Sequence, residues 1–253
     1  MKIIDIDGIV LNDTNYGESS KILNVLTKEY GLIGIMSKGC RNIKSKLSGV
    51  SRKLVYGTFH IYYKEKGLST LIGVDIINDF SNIEKDLMRI SYASYILDLT
   101  KQVLRESDDS EIYNLLISTF VKLNEGLDPF VLTNILEVKY LDYLGVKPSL
   151  DQCTLCGNSD DIVTLSSSSG GLVCGSCHTD EPLVNIKSVH MIRMYYYVDI
   201  DKISKLDVSD EVKNDINNFL DDYYERYTGL YLKSKDFIKK VNLLSKINLF
   251  FVV

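Results

Sequence analysis

No stretch of the 253-residue chain is apolar for long enough to cross a membrane. Its first residues, Met1-Lys2-Ile3-Ile4-Asp5, place an aspartate where an export signal would be apolar. Together these point to a cytoplasmic protein with no membrane contact. Phosphate-cradling motifs are missing too: there is no G-x-x-x-x-G-K-[ST] and no G-x-G-x-x-G after a strand. Histidines number only three, and His60, His178 and His190 are scattered. His60 falls in a strand pattern and His190 on a helix, where each reads as a surface or packed residue rather than a base. Asp160-Asp161 and Asp221-Asp222 read as a solvated loop and a solvated helix face, so nothing favours a paired-carboxylate active site. Tryptophan is absent, although tyrosine reaches 17. No catalytic apparatus is visible, and the expectation is a protein that is not an enzyme.

Cysteines are few but organised. Two C-x-x-C pairs, Cys153/Cys156 and Cys174/Cys177, lie 17 residues apart across polar turn material. Two such knuckles supply four thiolates to one tetrahedral Zn²⁺. Disulfides are disfavoured because nothing looks secreted, and a redox C-x-x-C would be single and would open a helix. Four thiolates leave no open coordination position, so the zinc is structural and a zinc hydrolase is disfavoured. His178 follows Cys177 and could replace one thiolate, but with four cysteines it reads as a bystander. The runs Val163–Leu165 and Gly171–Val173 can form a hairpin carrying the second knuckle. Cys40 has no partner and reads as an incidental thiol.

The net charge of −5 argues against a protein coated with nucleic acid, but it hides an asymmetry. Residues 1–80 carry 11 Lys/Arg against 8 Asp/Glu, and the remainder carries 18 against 26. Such a contrast can mark a polyanion-binding end. Within 1–80 the apolar period is two, with strands at Ile4–Val10, Leu32–Ser37, Val55–Tyr63 and Ser69–Ile77. Ser20–Thr27 is ambiguous between strand and short helix, and Asn12–Gly17 is turn chemistry. Five short strands in 80 residues predict a small closed or partly open barrel. Between the third and fourth strands lie six basic residues and no acidic one: Lys38, Arg41, Lys44, Lys46, Arg52 and Lys53. A charge run is usually a solvated surface. Here it adjoins a barrel strand bearing Tyr56, Phe59, Tyr62 and Tyr63. Oligonucleotide-binding barrels combine cations that track phosphates with rings that stack bases. Alternate residues point inward, so several of these rings must be core.

From Ile83 the period becomes helical. Helices are predicted to Glu106, over Glu111–Asn124, and from a cap at Asp128 with Pro129 first to Gly145. After the cysteine module, at about 149–183, they resume over Lys187–Tyr197, Ser209–Tyr227 and Ser234–Leu244. This acidic half is a poor DNA surface unless patches such as Lys233, Lys235, Lys239 and Lys240 serve. The apolar tail Ile247–Val253 either packs back or docks on a partner. The fold class is α+β and multidomain, with a barrel over 1–80 and a helical domain over 81–253 holding a zinc insertion.

Several segments resemble the RecO family of bacterial recombination mediators. They are Gly8-Ile9-Val10-Leu11 with Tyr16-Gly17-Glu18, Leu26 to Leu32, and Ser37-Lys38-Gly39 with Lys44-Ser45. The most specific is Leu144-Gly145-Val146-Lys147-Pro148 leading into Cys153-x-x-Cys156-Gly157, and Leu232-Lys233-Ser234 follows near the end. Their order and spacing carry more weight than any one of them. The resemblance implies an N-terminal OB-fold barrel, a helical domain and a zinc module holding Cys153, Cys156, Cys174 and Cys177. It implies binding of single- and double-stranded DNA, annealing of complementary strands and no turnover. It also implies that the protein, nucleoid-associated and working with RecR and in some pathways RecF, helps load RecA onto strands covered by single-stranded-DNA-binding protein. The six basic positions carry over only as a region. The competing reading is a protein-interaction scaffold without direct DNA binding.

Overall fold

The alternation in the first 80 residues closes on itself. Five strands, β1 (Lys2–Tyr16), β2 (Ser20–Thr27), β3 (Gly31–Ser37), β4 (Tyr56–Tyr63) and β5 (Ser69–Asn78), form a closed barrel in the order β1-β2-β3-β5-β4. The computed structural model describes the backbone of residues 2–250 and the side chains of residues 2–242. Inward-facing Ile6, Val10, Leu23, Val25, Ile35, Phe59, Ile61 and Leu71 fill the barrel. A closed barrel leaves few strand edges to mispair. β3 and β5 are parallel and meet at only two pairs, Ile35↔Ser69 and Met36↔Thr70.

Two expectations for this region change. β1 does not stop at Val10 but continues to Tyr16, past a bulge at Leu11. Asn12–Tyr16 is strand because β2 pairs its polar groups: the Asn24 amide donates to Asn12 Oδ1 (3.0 Å), and Lys21 meets Asp13 at 2.7 Å. That register also resolves Ser20–Thr27 as strand rather than helix.

The chain divides into two compact units. One is Met1–Lys85 with Leu97–Ile117, the other Asp86–Ile96 with Ser118–Val253. The helices are α1 (Ser81–Glu84), α2 (Leu87–Glu106), α3 (Glu111–Glu125), α4 (Pro129–Tyr143), α5 (Ile186–Tyr197), α6 (Asp210–Thr228) and α7 (Lys233–Phe250). α4 starts as its sequence dictates: Asp128 accepts from the Phe130 and Val131 amides, and Pro129 needs no partner at the first position. Gly145, at φ +72°, ends it. Val131 to Val138 are all buried, so α4 is the central helix of the second unit. Between α4 and α5 stands a hairpin of β6 (Ile162–Ser166) and β7 (Gly171–Cys174). Among the described residues no helix is long and apolar enough to cross a membrane. The apolar tail Ile247–Val253 lies outside the described side chains.

Candidate nucleic-acid interface and metal centre

The basic connection from β3 to β4 is pinned from within. Cys40 is buried, Leu47 and Val50 pack against the barrel core, and Ser51 is buried with its hydroxyl 2.7 Å from that of Ser37. Lys21 Nζ donates to the Ser51 carbonyl at 3.0 Å. Successive turns bridge the pins: Asn42 N–H donates to Gly39 O (3.1 Å), Ser45 N–H to Asn42 O (2.9 Å) and Ser48 N–H to Ser45 O (3.1 Å). Cys40 is thus an anchor, not an incidental thiol. The inward apolar positions 40, 47, 50 and 54 recur through the loop, a signal overshadowed by its charge.

With most of the apolar residues turned in, the cations are turned out. Lys38, Arg41, Lys44, Lys46, Arg52 and Lys53 are all exposed. Arg52 is engaged by Glu84, and Arg41 donates to the Gly17 carbonyl at 3.2 Å. Among the described residues, the other four meet no carboxylate within ion-pair distance. The structure therefore gathers these cations on one ordered loop.

The tyrosines of β4 do not gather with them. Tyr56 stacks on Phe80 (centroids 5.9 Å apart, 14° between planes) and its hydroxyl is hydrogen-bonded with Tyr113, so its ring serves the packing of its own unit. Tyr62 is exposed but sits at the opposite end of β4 from the loop junction, paired with Ile3 and Thr70. Between them the outer face is acidic. His60 Nδ1 lies 2.7 Å from Asp5 Oδ1 and its Nε2 3.0 Å from Asp75 Oδ2, while Thr58 donates to Asp7 at 2.7 Å. The carboxylates of Asp5 and Asp75 hold the His60 pKa above its ordinary value. A raised histidine pKa adds stability that is complete below the unfolded value of about 6.5 and is lost as pH rises through the folded one. His60→Gln should flatten the fall in melting temperature with rising pH in that window, by about 1–3 °C. A pH scan of thermal melts checks this, and parallel curves would remove His60 from the account.

The four cysteines of the hairpin module come together. Their sulfurs all lie within 4.8 Å of one another, with Cys156 and Cys174 at 3.6 Å. Four thiolates around a tetrahedral ion with Zn–S near 2.3 Å stand about 3.8 Å apart, so the set fits a structural metal. Local backbone chemistry builds each knuckle. Gly157 at φ +75° donates to Cys153 O (2.9 Å), and the Cys177 and His178 amides donate to Cys174 O (3.1 and 2.9 Å). Burial would raise the Cys153 thiol, but the amides of Cys174, Cys156 and Leu155 bring it down to about 6. Hydrogen bonds from Cys156 and Cys174 push Cys177 up to about 12. Four crowded thiols cannot all ionise alone; a dication removes that conflict. His178 lies outside the cluster, its Nε2 bonded to the Glu181 carbonyl at 2.7 Å.

The module is moored to α6 of its own unit. Ser167 donates to Asp222 and Tyr227 to the Ser168 carbonyl (3.3 Å), while Ser166 and Ser169 donate within the module to Glu181 (2.7 and 3.1 Å). Asp221 and Asp222 are therefore not a solvated face. Asp221 meets Lys235 Nζ at 2.6 Å and Lys239 at 3.1 Å, and Lys235 also reaches the buried Glu137 at 2.7 Å. Both cations thus already answer carboxylates, which weakens the alternative in which Lys233, Lys235, Lys239 and Lys240 form a basic patch on this half. His190 is exposed on α5, as its pattern suggests.

A family model described as Recombination protein O N terminal matches residues 1–80, and one described as Recombination protein O C terminal matches residues 84–236. The chain belongs to the RecO family. Relatives named DNA repair protein RecO include that of Bacillus pumilus, 35% identical over 249 residues and 97% of each chain. That of Halalkalibacterium halodurans is 36% identical over 239 residues, 93% of this chain and 94% of its own. That of Bacillus subtilis is 34% identical over 239 residues, 93% of each. The α+β fold with a RecO N-terminal domain, and the family read from motifs, both stand. This RecO-family chain thus belongs among DNA repair proteins.

Proposed function

We propose that the protein is a non-enzymatic DNA-binding mediator of recombinational repair. It binds single- and double-stranded DNA, anneals complementary strands and, with RecR and in some pathways RecF, promotes RecA loading on strands covered by single-stranded-DNA-binding protein. Its place is the cytoplasm, at the nucleoid. The observation that carries this reading is the ordered, acid-free loop whose exposed lysines have no carboxylate within ion-pair distance of their ammonium groups among the described residues. Lys38, Arg41, Lys44, Lys46 and Lys53 would neutralise phosphates, releasing counterions and making affinity salt-dependent. Arg52 is shared with Glu84 and contributes less. Of Tyr56 and Tyr62, the candidate DNA-binding rings of β4, only Tyr62 is exposed enough to stack a base, because Tyr56 is packed on Phe80. Annealing follows from partly neutralising two strands on one cationic surface. The four-cysteine site holds one structural Zn²⁺, which shapes the module and takes no part in DNA chemistry.

Fluorescence anisotropy of labelled single-stranded DNA against salt tests the interface. Lys44→Glu with Lys46→Glu should weaken binding at least tenfold at low salt. It should also flatten the slope of log K against log salt by about 1.4, since each phosphate contact on a single strand contributes about 0.7. An unchanged slope would place the DNA site elsewhere. Pull-downs with and without DNA separate this reading from the scaffold, which would show no salt-dependent DNA affinity.

A further inference from the structure

Ile43 is 100% exposed, the most exposed large hydrophobic side chain among the described residues. Single apolar residues on a surface are ordinary, so its setting matters more than its exposure. It occupies the first corner of the turn closed by Ser45 N–H on Asn42 O at 2.9 Å. Corner side chains project away from the chain, and polar residues or proline are favoured at such corners. The turn is held by the pins at Cys40, Leu47 and Val50, so it is presented rather than merely left out. The other apolar residues of the loop turn inward, whereas Ile43 alone is turned wholly to solvent. Around it stand Arg41, Lys44 and Lys46, all exposed, with no acid between Lys38 and Lys53.

An apolar β-branched tip inside a ring of phosphate-neutralising cations has the chemistry of a wedge. Proteins that kink or unstack nucleic acid insert Ile, Leu, Phe or Met between base steps while neighbouring cations hold the backbone. We propose that Ile43 is such a wedge: it enters a base step of bound single-stranded DNA and unstacks it, while Arg41, Lys44 and Lys46 grip the flanking phosphates. This rests on the DNA-binding reading above and adds to it a residue that the charge pattern does not reveal.

The test uses full-length protein and an oligonucleotide with 2-aminopurine, whose fluorescence rises when its stack is broken. Wild type should bind with salt-dependent affinity and raise the signal. Ile43→Ser should keep its melting temperature and its salt slope, lose about tenfold in affinity and lose most of the fluorescence rise. Ile43→Leu should restore both. If Ile43→Ser matches wild type in affinity and fluorescence while the Lys44→Glu, Lys46→Glu protein loses the salt slope, the wedge is wrong and the DNA interface survives. If wild type shows no salt-dependent binding, both fall. Ile43-dependent binding to phosphatidylglycerol vesicles, with DNA binding unaffected by Ile43→Ser, would reassign the tip to an anionic lipid surface and overturn the wedge.

Discussion

Cys174→Ser is expected to lose the metal and melt the hairpin module while leaving DNA affinity in place. Wild-type protein should carry about one zinc per chain by elemental analysis, and the variant close to none. Structural zinc is held in isolated peptides by about 10–16 kcal/mol at neutral pH, and much of that is folding energy of the segment that supplies the ligands. Cys174 ends β7 and sits at the centre of the cluster, its carbonyl accepting from the amides of both Cys177 and His178. Without the ion, the exposed first knuckle and the crowded thiols lose their main tie, and the hairpin is left with its buried Leu165, Leu172 and Val173 and its moorings to α6. The melting temperature should fall by more than about 10 °C, and amide protection should vanish over roughly residues 150–180 first. The cationic loop belongs to the other compact unit, so the salt dependence of DNA binding should persist in whatever protein remains soluble. A well-folded, zinc-free variant that had lost only DNA binding would make the module part of the interface.

The second large effect is expected from Lys235→Met. Glu137 is 1% exposed on the central helix α4, where its Oε1 accepts from Tyr95 at 2.5 Å and from Lys235 at 2.7 Å. Tyr224 closes the group by donating to the Glu137 carbonyl at 2.9 Å, and the Lys235 ammonium lies 5.3 Å from the centre of the Tyr95 ring. Burial alone would lower the lysine pKa, but Glu137 and Asp221 hold it above its usual value, so the cation stays charged. Removing that cation leaves a carboxylate stranded in a low-dielectric site, which costs about 3–5 kcal/mol. Chemical denaturation should report that loss. Glu137→Gln combined with Lys235→Met should recover most of it, because the buried carboxylate is then neutral and Asp221 keeps Lys239. A double variant as unstable as the single one would show that packing around Lys235, not its charge, is what matters.

How much of this could be read in the residues depends on the scale of each signal. The barrel was legible because alternation fixes which residues face inward, and Phe59 and Ile61 do so where the period of two places them. α4 was legible because Asp128-Pro129 and Gly145 are local start and stop signs that act without tertiary help. The metal cluster was legible because four sulfurs at that spacing have one cheap way to meet. Contacts across long sequence separations were not. Lys235 and Lys239 look like surface cations until α6 brings Asp221 to them. Arg52 looks like a DNA ligand until Glu84 takes it. Tyr56 looks like a stacking platform until Phe80 covers it. The strand run through Asn12–Tyr16 was hidden because its residues favour turns, and only pairing with β2 overrides them.

The β3–β4 loop also has a part in how the barrel is reached. β1, β2 and β3 pair through short hairpins, and so do β4 and β5, so each piece can fold from local contacts. The pairs that join the pieces, β1 to β4 and the two-residue contact of β3 with β5, span long stretches of chain. Such contacts set the pace of folding, because chain entropy is lost before they form. The loop is the tether between the two pieces. Its pins at Cys40, Leu47, Val50 and Ser51 shorten the search by tying the tether to the barrel wall. The lysines that would hold DNA therefore acquire their positions with the first piece, since Ser51 is held by Ser37 and Lys21, the Arg41 amide by Ser19 and the Lys53 amide by Asp13. A chain caught before the two pieces dock would hold these lysines in place on a sheet not yet closed.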